Sequence, residues 1–348
     1  MFRGGELPEF KLAYETWGKL NAARSNAVLI FTGLSPNAHA ASSSADPEPG
    51  WWEKMVGPGK PLNSNRYFII CLNSLGSCKG STGPNSINPA TGEPWRLAFP
   101  ELAIEDIAAS GALLLDALGI DQLHAMVGPS MGGMTALAFL REHPRRVNHL
   151  LSISAALAAD SFAIGMRSVQ RETIVTDPNW NDGNYNNSAW PVNGMRIARK
   201  LGMMTYRSAN EWRHRFGRQP QENYPETIYG MNFQIESYLE AAAQKFIHQF
   251  DPVSYVYLSR AMDWFDVGHG FPDADRAFDR LELKSACIIG VHSDILFPIH
   301  QQKMIATLLE KQNVNIEFHA LDSVQGHDAF LVDYPRFGPI IRDYLLNI

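Results

Sequence analysis

The chain has 348 residues, of which 45% are hydrophobic and 19% charged, and its 30 basic and 36 acidic residues give a formal net charge of −6. This composition is that of a globular protein and excludes a disordered or low-complexity chain. The sequence has no block rich in lysine and arginine, so no nucleic-acid partner is expected. Its apolar runs are too short to span a membrane, so no membrane partner is expected either.

The cysteines and the amino terminus indicate a cytoplasmic protein. Cys71, Cys78 and Cys287 are too few for a disulfide framework and lack the spacing of metal ligands, so a reducing compartment and no metal are expected. Residues 1–6 lack the apolar run of a secretory signal.

Short apolar runs in the first half of the chain predict buried strands, because most of them end at Gly, Asn or Ser. These predicted strands cover residues 27–31, 67–72, 123–127 and 150–153. Apolar residues at helical spacing predict helices over 102–118, before Gly119, and over 134–142, before Pro144. This alternation of strands and helices predicts a doubly wound, mostly parallel α/β sheet with right-handed crossovers.

The pattern changes after about residue 160. The following stretch, to about residue 275, is rich in Met and aromatic residues at helical spacing and has no clear strand run. Strand-like runs return over 286–291 and 316–321. We therefore predict one α/β core, formed by residues 1–160 and 276–348, that is interrupted by a helical insertion of residues 161–275.

A G-x-S-x-G pattern follows the third predicted strand and precedes a predicted helix, in Gly128-Pro129-Ser130-Met131-Gly132. A strand, a tight turn and a helix form a nucleophile elbow, in which the glycines allow the sharp turn and leave room for substrate at the serine oxygen. A glycine-rich turn with an incidental serine would have the same pattern.

A serine nucleophile needs a base, and the base needs a carboxylate that orients it. In a sheet of this type the chain order is Ser, then Asp or Glu, then His. Asp294 follows the predicted strand 286–291 and His327 follows 316–321, so both lie at the edge where Ser130 must lie. We therefore predict Ser130, Asp294 and His327 as the catalytic residues. The histidines that compete for the role of base are His319, His292, His300, His124, His143 and His149.

The oxyanion of an acyl-transfer intermediate needs two backbone N–H donors. One comes from the residue after the nucleophile, Met131, and the other from the loop after an early strand. That loop covers residues 32–39, and Leu34 is the candidate donor. A plain turn at Leu34 is the alternative.

Several longer stretches, together with these residues, resemble the homoserine O-acetyltransferase family of α/β-hydrolase-fold acyltransferases. The resemblance covers nearly the whole chain and is densest over 80–89, with further matches over 13–18, 50–52, 57–60, 130–134, 293–294, 296–298 and 326–331. It implies an α/β-hydrolase fold with a helical lid insertion and a ping-pong transfer through an acyl-serine. It also implies acyl-coenzyme A as a cosubstrate, no cofactor, and a homodimer formed through the lid helices.

The family binds its amino acid through an arginine on a lid helix and the aspartate after the catalytic histidine. The resemblance therefore implies substrate-binding roles for Arg199 and Asp328, and Tyr206 matches a pocket tyrosine. An arginine can hold a carboxylate through two hydrogen bonds while an aspartate holds the ammonium group. A solvated helix arginine is the alternative for Arg199.

Departures from the family pattern cluster around the acceptor pocket, and we predict specificity residues there. These residues are Ser35, Pro36, Asn37, Ala38, His39, Lys79 and Pro129. The combination resembles the serine O-succinyltransferase branch, which implies succinyl-coenzyme A as donor and L-serine as acceptor on a route to cysteine. Lys79 would pair with the succinyl carboxylate, and a plain exposed lysine is the alternative.

Three alternatives stay open for the function. Acyl transfer to L-homoserine, from acetyl- or succinyl-coenzyme A on a route to methionine, is the first, because one methylene discriminates by only about 1–3 kcal/mol. A serine hydrolase that uses water as the acceptor is the second. A binding module without catalytic activity is the third.

Overall fold

The computed structural model describes residues 1–223 and 227–348, and in these ranges the chain has nine strands and ten α-helices. The strands are β1 (Tyr14–Trp17), β2 (Ala27–Phe31), β3 (Val56–Gly57), β4 (Leu62–Asn63), β5 (Phe68–Leu72), β6 (Leu123–Pro129), β7 (Val147–Ile153), β8 (Ser285–Val291) and β9 (Asn315–Leu321). The helices are α1 (Ile104–Ala117), α2 (Met131–Glu142), α3 (Ser161–Val175), α4 (Val192–Tyr206), α5 (Ala209–Phe216), α6 (Gln234–Phe246), α7 (Pro252–Trp264), α8 (Ile299–Lys311), α9 (Ala329–Val332) and α10 (Tyr334–Asn347).

Seven strands form the central sheet, in the order β1-β5-β2-β6-β7-β8-β9. Strand β1 is antiparallel to β5, and the remaining pairs in the sheet are parallel. The two-residue strands β3 and β4 form a separate parallel pair. The predicted mostly parallel sheet is therefore confirmed. Parallel strands end at a common edge, and this edge receives the loops after β6, β8 and β9.

The strands are apolar on both faces because helices cover both sides of the sheet. Leu29 and Phe31 of β2 pack in a cluster that includes residues of α1, α2 and α8. Val28 and Ile30, which point to the opposite face, pack in a second cluster that includes residues of α10. Alternate residues of one strand thus contribute to two cores.

Two of the differences from the sequence pattern have clear physical reasons. The pattern does not predict strand β1, because it is a half-exposed edge strand of four residues without an apolar run. Helix α2 begins at Met131 rather than at residue 134, because the turn at Ser130 leads directly into the helix. Gly132 and Gly133, which interrupt a helical pattern in sequence, lie inside its first turn.

Five helices, α3 to α7, lie between β7 and β8. Helix α3 packs against α4 and α7, and α4 packs against α6. Helix α7 begins after Asp251, whose Oδ2 accepts a hydrogen bond from Ser254 N at 2.8 Å, with Pro252 in the first turn. The division into a core and an insertion of residues 161–275 stays a prediction. No described helix combines the length and the apolar character that crossing a membrane requires.

Candidate active site

Ser130 lies at a sharp turn between β6 and α2, with φ of 56° and ψ of −124°. Few residues other than glycine adopt this conformation, and such strain concentrates at functional sites. The turn is held by two hydrogen bonds. Ser130 N donates to Ile153 O at 2.8 Å, and Ser130 O accepts from Gly133 N at 2.9 Å.

The glycines around Ser130 are required by close backbone approaches. A Cβ atom on Gly128 would lie 2.3 Å from Gly132 O, and one on Gly132 would lie 2.1 Å from Phe31 O. A side chain at Gly128 would push the end of β6 away from the start of α2, and one at Gly132 would push the helix start away from β2. The G-x-S-x-G pattern thus has the structural context that a nucleophile elbow requires.

The structure brings Ser130, His327 and Asp294 into one hydrogen-bonded row. His327 Nε2 is 2.8 Å from Ser130 Oγ, and His327 Nδ1 is 2.7 Å from Asp294 Oδ2. The other carboxylate oxygen, Asp294 Oδ1, accepts hydrogen bonds from Leu296 N at 2.9 Å and Phe297 N at 2.8 Å. Because both carboxylate oxygens are engaged, Asp294 has a fixed orientation and can hold the histidine with Nδ1 protonated and Nε2 facing the serine.

The surroundings of His327 favour its protonated form. Burial lowers the pKa of the imidazole, but the charge of Asp294 and its hydrogen bond raise the pKa by more, so the net shift is upward. The ring stacks on Phe297 at 5.0 Å between centroids and meets the edge of Phe330 at 5.8 Å. A base with this environment stabilises the imidazolium that forms when a serine proton is taken up.

The loop after β2 lies against the elbow. A Cβ atom on Gly132 would lie 3.0 Å from Thr32 O, and one on Gly33 would lie 4.0 Å from Pro129 O. Met131 is the first residue of α2, so its N–H has no partner within the helix and is free to donate to a substrate oxygen. The roles of Leu34 and Met131 as oxyanion donors stay predictions.

Residues 37–39 of this loop are engaged in holding its shape. Asn37 O accepts a hydrogen bond from Trp51 Nε1 at 2.9 Å. The two ring nitrogens of His39 lie 2.9 Å from Glu15 Oε2 and 2.8 Å from Glu48 O. The side chain of Ala38 is buried. These contacts position the loop, and the effect of residues 37–39 on specificity stays a prediction.

The remaining predicted specificity residues lie closer to the elbow or on a different loop. A Cβ atom on Gly33 would lie 3.7 Å from Pro36 Cδ, so Pro36 packs onto the start of the loop. Ser35 and Lys79 are half-buried, and Pro129 is buried as the last residue of β6. Their effect on specificity stays a prediction.

The predicted substrate-binding residues come together beside the triad. The Arg199 guanidinium lies 4.4 Å from the centroid of the Phe246 ring and 5.9 Å from that of Tyr206. Its Nε is buried and has no hydrogen-bonding partner among the described residues. The Tyr206 ring lies 6.2 Å from the His327 ring. Burial raises the pKa of the Asp328 carboxyl, although Arg207, His327 and Arg199 act to lower it.

The structure adds Arg207, which the sequence does not single out. Its Nε donates to Asp328 Oδ2 at 3.2 Å, and its Nη1 donates to Gln325 Oε1 at 2.7 Å. Arg207 follows α4 directly, so the end of this helix is tied to the loop that carries His327. Sequence spacing gives no signal for this pairing, because 121 residues separate the two partners.

The structure also adds Arg167, on α3. Its Nε donates to Asp263 Oδ1 at 2.6 Å, and the side chain is almost fully buried. Both terminal nitrogens are buried without a hydrogen-bonding partner within residues 1–223 and 227–348. Its positive charge acts to lower the pKa of His327, Tyr206 and Tyr255, so the guanidinium lies near the site. A buried, incompletely paired arginine near such a site can hold an anionic group of a substrate.

Known proteins share both this fold and much of this sequence. A family model described as alpha/beta hydrolase fold matches residues 26–333. A serine O-succinyltransferase from Xanthomonas campestris pv. campestris (strain B100) is 54% identical, over 100% of this chain and 95% of the relative. A solved homoserine O-acetyltransferase from Bacillus anthracis has a TM-score of 0.90 at 29% identity, over 97% of this chain and 92% of that chain. The chain belongs to the homoserine O-acetyltransferase family of α/β-hydrolase-fold acyltransferases.

Membership of this family confirms the resemblance seen in the sequence and the predicted α/β-hydrolase fold. Members and neighbours of the family do not all share one activity. A solved structure of esterase E22 has a TM-score of 0.89 at 28% identity, over 99% of this chain and 96% of that chain. Fold similarity alone therefore does not choose between transfer and hydrolysis, and the choice depends on the residues around Ser130.

Proposed function

We propose that this protein transfers a succinyl group from succinyl-coenzyme A to the hydroxyl group of L-serine, through an acyl ester on Ser130. The hydrogen-bonded row of Ser130, His327 and Asp294 supports an acyl-serine mechanism. The identity of 54% to a serine O-succinyltransferase over the whole chain supports this donor and acceptor. Coenzyme A enters as part of a cosubstrate, and the reaction needs no further cofactor.

The first half-reaction forms the acyl-enzyme. His327 Nε2 takes the proton of Ser130 Oγ as this oxygen attacks the thioester carbonyl, and Asp294 stabilises the imidazolium. The N–H groups of Leu34 and Met131 donate to the oxyanion. The carbon–sulfur bond then breaks, the sulfur receives the proton from His327, and coenzyme A leaves as the thiol.

The second half-reaction transfers the acyl group. Arg199 holds the carboxylate of L-serine and Asp328 holds its ammonium group. His327 takes the proton of the substrate hydroxyl, whose oxygen attacks the ester carbonyl. The bond between the acyl carbon and Ser130 Oγ breaks, Ser130 regains a proton from His327, and O-succinylserine leaves.

Arg167 makes the enzyme prefer a succinyl donor to an acetyl donor. Its terminal nitrogens are buried and unpartnered in the described part of the chain, which is costly for a charged group unless a ligand pairs with it. The terminal carboxylate of a succinyl group supplies that partner, whereas an acetyl group leaves the nitrogens unpaired. With Arg199 for the acceptor carboxylate, the site has one arginine for each carboxylate in the reaction.

Hydrolysis is the second candidate, because esterase E22 shares the fold at 28% identity. Ser130 is 8% exposed and His327 is 4% exposed beneath the helices that follow β7, so bulk water has little access to an acyl ester at this site. The charges of Arg199 and Asp328 are opposite to those of the carboxylate and ammonium groups of an amino acid, and these residues would have no role in attack by water. These observations favour transfer.

The experiment that tests the donor is the variant Arg167→Gln. Loss of a charged hydrogen bond costs about 1.5–3 kcal/mol, so kcat/KM for succinyl-coenzyme A should fall roughly ten- to hundredfold. The value for acetyl-coenzyme A should change little, because an acetyl group has no carboxylate to pair with Arg167. Thiol release with L-serine as acceptor measures both values.

Arg171→Gln is the matched control. Arg171 lies one helical turn further along α3 and pairs with the same Asp263 carboxylate at 2.6 Å. Its loss should lower the rates with both donors equally, through a less stable α3–α7 contact. If Arg167→Gln also lowers both rates equally, Arg167 is only a partner of Asp263 and the donor proposal fails.

Two further properties belong to the proposal. Small molecules are the partners of the site, and the lid helices would form a homodimer. The protein would act in the cytoplasm, which fits Cys71, Cys78 and Cys287 being free thiols.

A further inference from the structure

A cluster of metal-ligand side chains lies at the edge of the sheet, on β8 and β9. Cys287 and Glu317 are direct partners in the parallel register of these strands. His319 follows Glu317 by two residues, so it points to the same face of the sheet. The Cys287 sulfur, one Glu317 carboxylate oxygen and one His319 ring nitrogen all lie within 4.8 Å of one another.

The imidazole of this cluster is not satisfied by its neighbours. His319 Nε2 is buried and has no hydrogen-bonding partner among residues 1–223 and 227–348. It lies 3.6 Å from Glu317 Oε2, which is too long for a hydrogen bond. The Cys287 side chain is fully buried and contributes its sulfur to the same space. A buried imidazole nitrogen beside a carboxylate and a thiol is a costly arrangement unless something binds between them.

We propose that Cys287, Glu317 and His319 bind a Zn²⁺ ion, with a water molecule in the fourth position. Thiolate, imidazole and carboxylate are the three ligand types that zinc uses in proteins. Ligand bonds of about 2.0–2.3 Å in tetrahedral geometry place ligand atoms roughly 3.3–3.8 Å apart, so small side-chain rotations close the site. On binding, the thiol proton is released to solvent and the sulfur binds as the thiolate.

The ion can reach this site from solvent. The Glu317 side chain is 45% exposed and that of His319 is 34% exposed, whereas Cys287 forms the buried end of the cluster. Strand β9 is the last strand of the sheet, so one of its edges has no neighbouring strand within residues 1–223 and 227–348. An ion that joins β9 to β8 would stabilise this edge.

The position of the cluster gives the ion a structural role for the candidate active site. Asp294 follows β8 and His327 follows β9, so both residues depend on the pairing of these two strands. We therefore expect zinc to raise the thermal stability of the protein. The inference is independent of the proposed function, because none of the three ligands takes part in acyl transfer.

The experiment is a titration of the full-length, metal-free protein with Co²⁺, which replaces Zn²⁺ and is coloured. One Co²⁺ should bind per chain, with a thiolate-to-cobalt charge-transfer band and the intense visible bands of tetrahedral coordination, and Zn²⁺ should abolish both. Zn²⁺ should also raise Tm. Absence of the charge-transfer band in the wild-type protein would overturn the site.

Variants at the three ligands make the test specific. His319→Ala and Glu317→Gln should each lower Co²⁺ affinity at least about tenfold. Cys287→Ala should remove the charge-transfer band. His292→Ala changes an exposed histidine just after β8, outside the cluster, and should leave affinity unchanged. An unchanged affinity in His319→Ala, or an equal loss in His292→Ala, would contradict the proposal.

Discussion

At the scale of single residues, the candidate site depends on two contacts of His327, at 2.8 Å to Ser130 Oγ and 2.7 Å to Asp294 Oδ2. Sequence order is sufficient to select these three residues, because a serine at an elbow and an acid and a histidine after late strands have fixed positions in this fold. Arg167 and Arg207 cannot be selected in this way. Their importance depends on which distant side chains they meet in the folded chain, and one sequence does not give that information.

Asp294→Asn tests the electrostatic role of the carboxylate. The wild-type pKa of His327 is raised because Asp294 outweighs the effect of burial, and His327 must be neutral to accept a proton. Wild-type kcat/KM should therefore fall as the pH decreases through this raised pKa. In the variant the pKa falls, so the acid limb of the profile should move to lower pH while the maximal rate drops by about 10³–10⁴.

Ser130→Ala is the control for that experiment, because it should abolish acyl transfer at every pH without changing the unfolding transition. An Asp294→Asn profile with an unshifted acid limb would show that Asp294 does not set the pKa of His327.

At the scale of secondary-structure elements, the junction between α4 and α5 packs closely against the loop that carries His327. Gly326 has φ of 66°, and a Cβ atom there would lie 2.8 Å from Ser208 N and 2.9 Å from Tyr206 O. Ser208 Oγ also donates to Val324 O. The backbone between α4 and α5 therefore lies directly on the backbone of the loop that carries His327.

Gly326→Ala should separate the α4–α5 junction from this loop. We expect a lower Tm and a lower kcat, because the new methyl group moves His327 relative to Ser130. Gly59→Ala is a matched control, since Gly59 has a similar φ of 72° and a Cβ atom there would meet no other atom within 4 Å. The control should lose only the about 1–2 kcal/mol of backbone strain and keep its activity. Equal activity in the two variants would show that the contact of Gly326 with the α4–α5 junction does not position His327.

A second set of contacts joins β7 and β8 near their amino-terminal ends, opposite the edge that carries Ser130. His149 of β7 lies 2.8 Å from Ser285 Oγ, and its ring packs against His124 at 5.4 Å. Burial, with the charges of His124 and Lys284, lowers the pKa of His149 to about 4. In the unfolded chain the pKa is about 6.5, so the unfolded state binds more protons between these values.

The free energy of unfolding should therefore be highest above about pH 6.5 and decrease as the pH falls toward 4. For a half-buried ring screened by solvent, we expect a loss on the order of 1 kcal/mol between pH 7 and pH 5. Urea unfolding at the two pH values measures it, and His149→Gln should reduce the difference. If the variant keeps the full pH dependence, other groups are responsible.

At the scale of the whole molecule, the alternation of strands and helices is predictable because buried parallel strands are short apolar runs with clear ends. The edge strand β1 cannot be predicted in this way, because an exposed edge lacks an apolar run. The start of α2 is predicted three residues too late, because the elbow glycines resemble helix breakers. The arrangement of α3 to α7 over the sheet cannot be predicted from periodicity either, because it depends on tertiary packing.

Exposed apolar residues on α3 and α4 allow a test of the proposed homodimer. Phe162 and Val169 of α3 are 49% and 45% exposed and lie seven residues apart, on one face of the helix. Ile197 and Met204 have the same spacing on α4 and are 40% and 43% exposed. Analytical ultracentrifugation should show a dimer that Val169→Asp with Met204→Lys converts to a folded monomer. A monomeric wild type would contradict the proposal.

Thiol release from purified protein, with product masses determined, tests the central claim most directly. Succinyl- and acetyl-coenzyme A are each combined with no acceptor, with L-serine and with L-homoserine. We predict release that requires succinyl-coenzyme A and L-serine together and that yields O-succinylserine. Release without any acceptor would indicate a hydrolase, and a preference for L-homoserine or for acetyl-coenzyme A would contradict the substrate assignment while leaving the acyl-serine mechanism in place.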